Sequence, residues 1–122
     1  RINEVSPQSL QGLALGLDAL APVERNKIEV IPGAAGTMAT AALDADVVIA
    51  DPPRKGLDRE LVAQLVADPP ARFVYVSCGL DSFLADTARL TAIGAMRLSD
   101  LRVFNLMPYT DHVETVACFE RA

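Results

Sequence analysis

No run of apolar residues in this 122-residue chain approaches the roughly 18 needed to span a bilayer, and no signal-peptide pattern opens it. A role in or across a membrane is therefore not expected. Cysteine is sparse: Cys78 and Cys118 are the two present, without a CxxC pair, and His112 is the single histidine. That argues against a disulfide framework and against any metal site, and makes a reducing, cytoplasmic compartment the expectation. Basic charge is also short. Eleven Lys and Arg face sixteen Asp and Glu, for a formal net charge of −5 and a pI of about 4.7. A domain that holds nucleic acid unaided carries a basic stripe, because phosphate contacts supply most non-specific affinity. None is visible here, so if the substrate is a nucleic acid, most of the grip on its backbone is expected from residues outside this chain. Internal repeats, low-complexity tracts and linkers are missing too.

What is there suffices for one core, with 51% hydrophobic residues. Apolar runs alternate with helix-like segments, which predicts an α/β fold with a mostly parallel sheet. Ser6-Pro7 reads as a helix start, and Leu10, Leu13, Leu17 and Leu20 recur on one face until Pro22. Residues 27–31 alternate like a strand that Pro32-Gly33 stops, and the Ala-rich stretch 34–43 reads as a loose helix or loop. The near-continuous apolar run 46–50 predicts a strand buried on both faces. A helix over 57–66 and a strand over 72–77 follow. Asp81 or Ser82 is expected to cap the next helix, which Gly94 stops. Strands over 96–104 and 113–119 flank the loop 105–112.

Ligands in open parallel α/β sheets bind at the carboxyl ends of the strands. Three polar groupings fall at such ends or in the adjoining loop: Asp51-Pro52-Pro53-Arg54, Ser77-Cys78, and residues 110–114. In the first, two prolines fix φ twice and make a rigid lip that holds the Asp51 carboxylate and aims Arg54; a charged strand-to-helix turn would read the same way. Cys78 follows a buried strand and precedes Gly79 and a helix start, where backbone amides favour a thiolate. An isolated cysteine is more often a small buried hydrophobe, and Cys118, inside an apolar run, keeps that reading. Glu114, beside Asp111 and His112, is either a solvated strand end or a proton acceptor. Spacing alone leaves both open.

Taken together, the stretches Asp51-Pro52-Pro53-Arg54-Lys55-Gly56-Leu57, Val74-Tyr75-Val76-Ser77-Cys78 and Met107-Pro108-Tyr109-Thr110-Asp111-His112-Val113-Glu114 resemble the RNA (uracil-5-)-methyltransferase family, which modifies tRNA or ribosomal RNA. Order and spacing both match, from about Asp46 to the end. The resemblance implies a truncated Rossmann-like class I S-adenosylmethionine-dependent methyltransferase fold, with a mostly parallel sheet and an antiparallel C-terminal strand. It implies Cys78 as the nucleophile that attacks C6 of uracil and Glu114 as the base that removes the C5 proton. It places Asp51 near substrate and cofactor, and Arg54 and His112 among the substrate-binding residues. S-adenosylmethionine is the implied cofactor, with Glu4 and Asp51 as its candidate contacts.

The sequence departs from the family at several points. Gly79-Leu80 stands where Asn-Pro is common, and implies a more mobile loop. Asn105 replaces a common Asp, Tyr109 a common His, and Ala34 an acidic residue expected after Gly33. The chain opens on Arg1 inside what reads as a strand, and the Gly-rich cofactor loop that should precede Glu4 is missing. Residues 1–122 are thus expected to be part of a catalytic domain, inactive alone, with RNA reached through the parent protein. Without the first strand of that fold, strand 46–50 would present an unpaired edge. That edge is expected to re-pair internally through Lys27–Ile31 or across a dimer. Two rival readings stand beside this one. An amino-methyltransferase also uses a Pro-Pro turn but follows it with an aromatic, where Arg54 stands here. A non-catalytic module for RNA or protein binding is the other.

Overall fold

The computed structural model describes residues 1–38 and 45–122. Strands β1 (Ile2–Glu4) and β2 (Val30–Pro32) flank helices α1 (Pro7–Asp18) and α2 (Pro22–Arg25), and a 3₁₀ turn follows at Ala35–Met38. Then come β3 (Val47–Ala50), α3 (Arg59–Ala67), β4 (Arg72–Ser77), α4 (Leu80–Thr91), β5 (Met96–Phe104) and β6 (Glu114–Arg121). Of the Ala-rich stretch, residues 39–43 lie outside the described residues.

Local chemistry accounts for most of these boundaries. Ser6 caps α1 by accepting from the Ser9 amide at 3.3 Å, and Pro7 opens the helix without a donor to waste. Leu10, Leu13 and Leu17 are half-buried along the face that their spacing predicts. In β4 the period of two sends Phe73, Tyr75 and Ser77 to one side, fully buried, and leaves Val74 and Val76 half-buried on the other. Thr115, Ala117 and Phe119 of β6 join the buried side. Leu61, Val62 and Leu65 of α3 cover it, with Phe83 and Leu90 of α4.

The main sheet has the order β3-β4-β6-β5. Strand β4 is parallel to β3 and antiparallel to β6, which is also antiparallel to β5. Three strands therefore run one way and the last alone is reversed, as expected. A β-irregularity between Leu98 and Asp100 shifts the β5 register.

One expectation fails in this region, and so does one arm of another. Strand β3 is not buried on both faces: Val47 is 49% and Ile49 69% exposed. The helices that cover the sheet, α3 and α4, lie on one face, and β3 is an edge strand with a partner on one side only among the described residues. Nor does the segment 27–31 re-pair that edge. Strand β2 forms a separate parallel pair with β1, Ile2 opposite Val30 and Glu4 opposite Pro32. The Asn3 amide reinforces that pairing by donating to the carbonyls of Ile31 and Gly33 at 2.9 Å each. Just past the end of β2, the Gly33 amide donates to the Glu4 carbonyl at 3.0 Å and carries the pairing one step further.

Phe73 has no solvent exposure and lies 6.0 Å from both Tyr75 and Phe119 between ring centroids. Truncation leaves a cavity ringed by rigid aromatics that relax little. Phe73→Ala is expected to cost about 3–5 kcal/mol in urea unfolding; a loss under about 1 kcal/mol would mean that this cluster is not the core.

Candidate active site

Strands β3 and β4 run in the same direction, so Ala50 and Ser77 end on one rim of the sheet. Reversed β6 begins on that rim with Glu114. The last rung between β4 and β6 is Ser77 opposite Thr115, and the Thr115 hydroxyl locks it by donating to the Ser77 carbonyl at 3.1 Å. One residue beyond that rung lie Cys78 on one chain segment and Glu114 on the other. Antiparallel register thus brings together two residues 36 positions apart in sequence, each half-buried.

Asp51 leaves the end of β3 into solvent. The turn after Pro52-Pro53 closes when the Gly56 amide donates to the Pro53 carbonyl at 2.9 Å, with Gly56 at a φ of 87°. The exposed Arg54 side chain then borders an open cavity of about 370 Å³, shared with Cys78, Leu80, Asp111, His112 and Val113. That volume lies at the small end of the range for ligand pockets. Glu114 does not line it, and stands just behind Val113 at the start of β6. The loop that brings His112 to the cavity turns at Thr110, whose hydroxyl donates to the Met107 carbonyl at 2.8 Å, and the His112 amide donates back to that hydroxyl at 3.3 Å. Within this loop Tyr109 is fully exposed and holds a φ of 67°.

Glu4 is elsewhere. It ends β1 in the two-stranded sheet, and its Oε1 accepts from the amides of Val5 and Ser6, both at 2.7 Å. Those two bonds orient the carboxylate, but Glu4 does not border the Cys78 cavity. The cap of α4 also differs from expectation. The N-cap is Gly79, without a side-chain bond, and the helix opens at Leu80. Ser82 sits inside the first turn, where its hydroxyl lies 2.9 Å from the Gly79 carbonyl and 2.7 Å from that of Arg54. Gly79 marks a close approach: a Cβ there would meet the Arg54 carbonyl oxygen at 2.6 Å.

Sequence reasoning missed Asp86 and Tyr75. Asp86 is 3% exposed, and its Oδ2 accepts from the Leu57 amide and the Tyr75 hydroxyl, each at 2.9 Å. A signal was available, since Asp86 occupies the apolar spacing of α4 between Phe83 and Leu90. A charge at that position must find partners. Burial, and after it the hydrogen bond to Asp86, pushes the Tyr75 phenol well above its usual range.

The fold and its rim define an α/β domain of the methyltransferase type. A solved structure of Pyrococcus abyssi tRNA (uracil-54, C5)-methyltransferase in complex with S-adenosyl-L-homocysteine superposes with a TM-score of 0.70 at 28% identity, covering 98% of this chain and 28% of that one. The fold alone is shared with M. jannaschii TYW2 in complex with AdoMet, at a TM-score of 0.60 and 19% identity over 98% of this chain and 57% of that one. The sequence carries the assignment further. Residues 37–122 match the profile of the tRNA (Uracil-5-)-methyltransferase family, and the chain belongs to that family. An uncharacterised RNA methyltransferase of Protochlamydia amoebophila is 33% identical over 99% of this chain and 31% of its own length. Another, from Caldanaerobacter subterraneus, is 43% identical over 63% of this chain and 17% of its own length. The chain therefore spans about a third or less of the curated relatives it matches.

Two predictions follow from the geometry at this rim. A phenol held neutral in the fold but ionisable at about pH 10 when unfolded adds stability below that pH, and this is lost as pH rises above it. Melting temperature should thus fall more steeply above pH 10 in the parent than in Tyr75→Phe; parallel slopes would show that Tyr75 ionises freely. Gly79→Ala, in turn, must push back the Arg54 carbonyl, and is expected to lower stability by about 1–3 kcal/mol by denaturant titration. A neutral Ala there would mean that the approach is easily relieved.

Proposed function

We propose that the full-length protein transfers a methyl group from S-adenosylmethionine to C5 of a uridine in tRNA or ribosomal RNA, through a covalent bond between Cys78 and C6. The observation that carries this reading is the register of β6 on β4, which sets Glu114 beside Cys78 on the rim that also bears Asp51 and Arg54.

The chemistry explains why two such groups are needed. C5 of an intact uracil is a poor carbon nucleophile. Addition of the Cys78 thiolate to C6 places negative charge across C5 and O4, and C5 then accepts an electrophilic methyl group. S-adenosylmethionine, when bound, supplies that methyl as a sulfonium. Glu114 takes the proton from the methylated C5, the electrons form the C5–C6 double bond, and the Cys78 sulfur leaves as thiolate. Atoms and charge balance: one methyl enters C5 and one proton leaves it. Arg54 and His112, both beside the cavity, hold the base and its phosphate.

For the cofactor, carboxylates are the natural partners of ribose hydroxyls and a sulfonium. Asp51 stands exposed at the end of β3, and Glu4 is held by two backbone amides at the end of β1. Both are assigned to S-adenosylmethionine, with Asp51 also facing the substrate. The net charge of −5 leaves the backbone of the RNA to residues beyond this chain.

RNA carrying 5-fluorouracil tests the scheme, because fluorine replaces the proton that Glu114 must remove. Incubated with S-adenosylmethionine, the full-length protein is expected to stall with the base attached to Cys78, as read by peptide mass spectrometry. Glu114→Gln should slow turnover on ordinary RNA by about 10²–10⁴-fold while a covalent protein–RNA species accumulates. No adduct, with RNA and cofactor both shown to bind, would overturn the mechanism in favour of amino-methylation or of non-catalytic binding.

A further inference from the structure

Among the described residues no side-chain hydrogen bond or ion pair joins the loop that carries Arg54 directly to the cysteine turn; helix α4 ties the two together. Two backbone groups of the loop are tied to one face of that helix. The Arg54 carbonyl accepts from the Ser82 hydroxyl at 2.7 Å, and the Leu57 amide donates to Asp86 at 2.9 Å. Ser82 and Asp86 are four residues apart, hence stacked on the same face. Asp86 reaches the strand as well, because the Tyr75 hydroxyl donates to the same oxygen at 2.9 Å, three residues before Cys78. Its other oxygen pairs with Arg89 at 3.2 Å. Two glycines admit this closeness. At Gly79 a Cβ would strike the Arg54 carbonyl, and at Gly56 it would strike the Asp86 carboxylate.

A carboxylate 3% exposed is an expensive way to join three segments. Apolar side chains of similar size would fill the same volume and hold nothing in register. A carboxylate that accepts from a loop amide and a strand phenol at once fixes where the loop stands along the strand.

We propose that Asp86, assisted by Ser82, is a positioning residue for the reaction: it sets the Asp51–Arg54 loop against Cys78, so that the groups that orient the uracil stand at the right distance from the thiolate that attacks it. Asp86 touches neither substrate nor cofactor. Its effect is on the rate of attack, because small misplacements of oriented groups are costly to that step. The proposal rests on Cys78 being the nucleophile.

The test uses the full-length protein with Asp86→Ala, Asp86→Asn, Ser82→Ala and Cys78→Ala, each assayed well below its own melting temperature. Single-turnover methylation, kcat, and KM for RNA are measured. Asp86→Ala is expected to lower kcat and the single-turnover rate by about 10- to 100-fold, with KM for RNA little changed. Asp86→Asn keeps an oxygen able to accept from Leu57 and Tyr75, and should recover most of that loss. Ser82→Ala, which cuts the Arg54 tie alone, should show the same split to a smaller degree, and keeps the test decisive if Asp86→Ala does not fold. Wild-type kcat in Ser82→Ala and in whichever Asp86 variants fold would overturn the proposal, as would a loss that Asn fails to recover. Cys78→Ala separates the two levels. If it still methylates RNA, the catalytic reading falls and this one with it; if it is inactive while the Asp86 and Ser82 variants turn over normally, only the positioning role falls.

Discussion

Strand β6 enters the sheet between β4 and β5, and the site depends on the register of that insertion. Six consecutive rungs join it to β4, from Arg72 opposite Glu120 to Ser77 opposite Thr115. A slip of one residue would turn Ala117 and Phe119 from the core to the outer face, so burial of those two side chains holds the ladder in place. Ion pairs at the far end add little. Glu120 meets Arg97 at 2.8 Å and Arg72 at 3.6 Å, but both arginines are more than half exposed, and such pairs contribute about 0–1 kcal/mol. Apolar packing at one end of the ladder therefore sets the relation of Cys78 to Glu114 at the other.

Helix α4 adds the second constraint. One face buries Phe83 and Leu90 against the sheet, and between them Asp86 turns a packing contact into a directional one. Leu57, held by its amide, is itself buried and anchors the end of the Arg54 loop in the core. The loop is thus fastened from both sides while its tip, with Asp51 and Arg54, remains in solvent. Rigid support beneath exposed functional groups is the usual arrangement of a binding or catalytic loop.

The rest of the surface is mixed in character. The face of β3 away from the helices exposes Val47 and Ile49, and no helix is long and apolar enough to cross a membrane among the described residues. The formal net charge is −5, the reverse of the basic stripe that phosphate contacts favour. Curated relatives are about three times the length of this chain or more.

Much was legible from residue order alone. Alternation in Arg72–Ser77 and the run Met96–Phe104 marked strands at their observed bounds, because β-branched and aromatic residues at period two have few other stable arrangements. Ser6-Pro7 marked a helix start through capping chemistry that needs no tertiary partner. The motifs around Asp51, Cys78 and Glu114 pointed to the family that the comparisons confirm. Helix α2, the Gly79 cap and the exposed face of β3 were not legible, since each depends on which neighbour is present rather than on local pattern. The same holds for Asp86. In sequence it is one acidic residue in a helix; only when β4, α4 and the loop after β3 meet does it acquire a phenol and an amide to bind. Short-range propensity and hydrophobic period determined the elements and the candidate residues, and long-range burial decided which of them face one another.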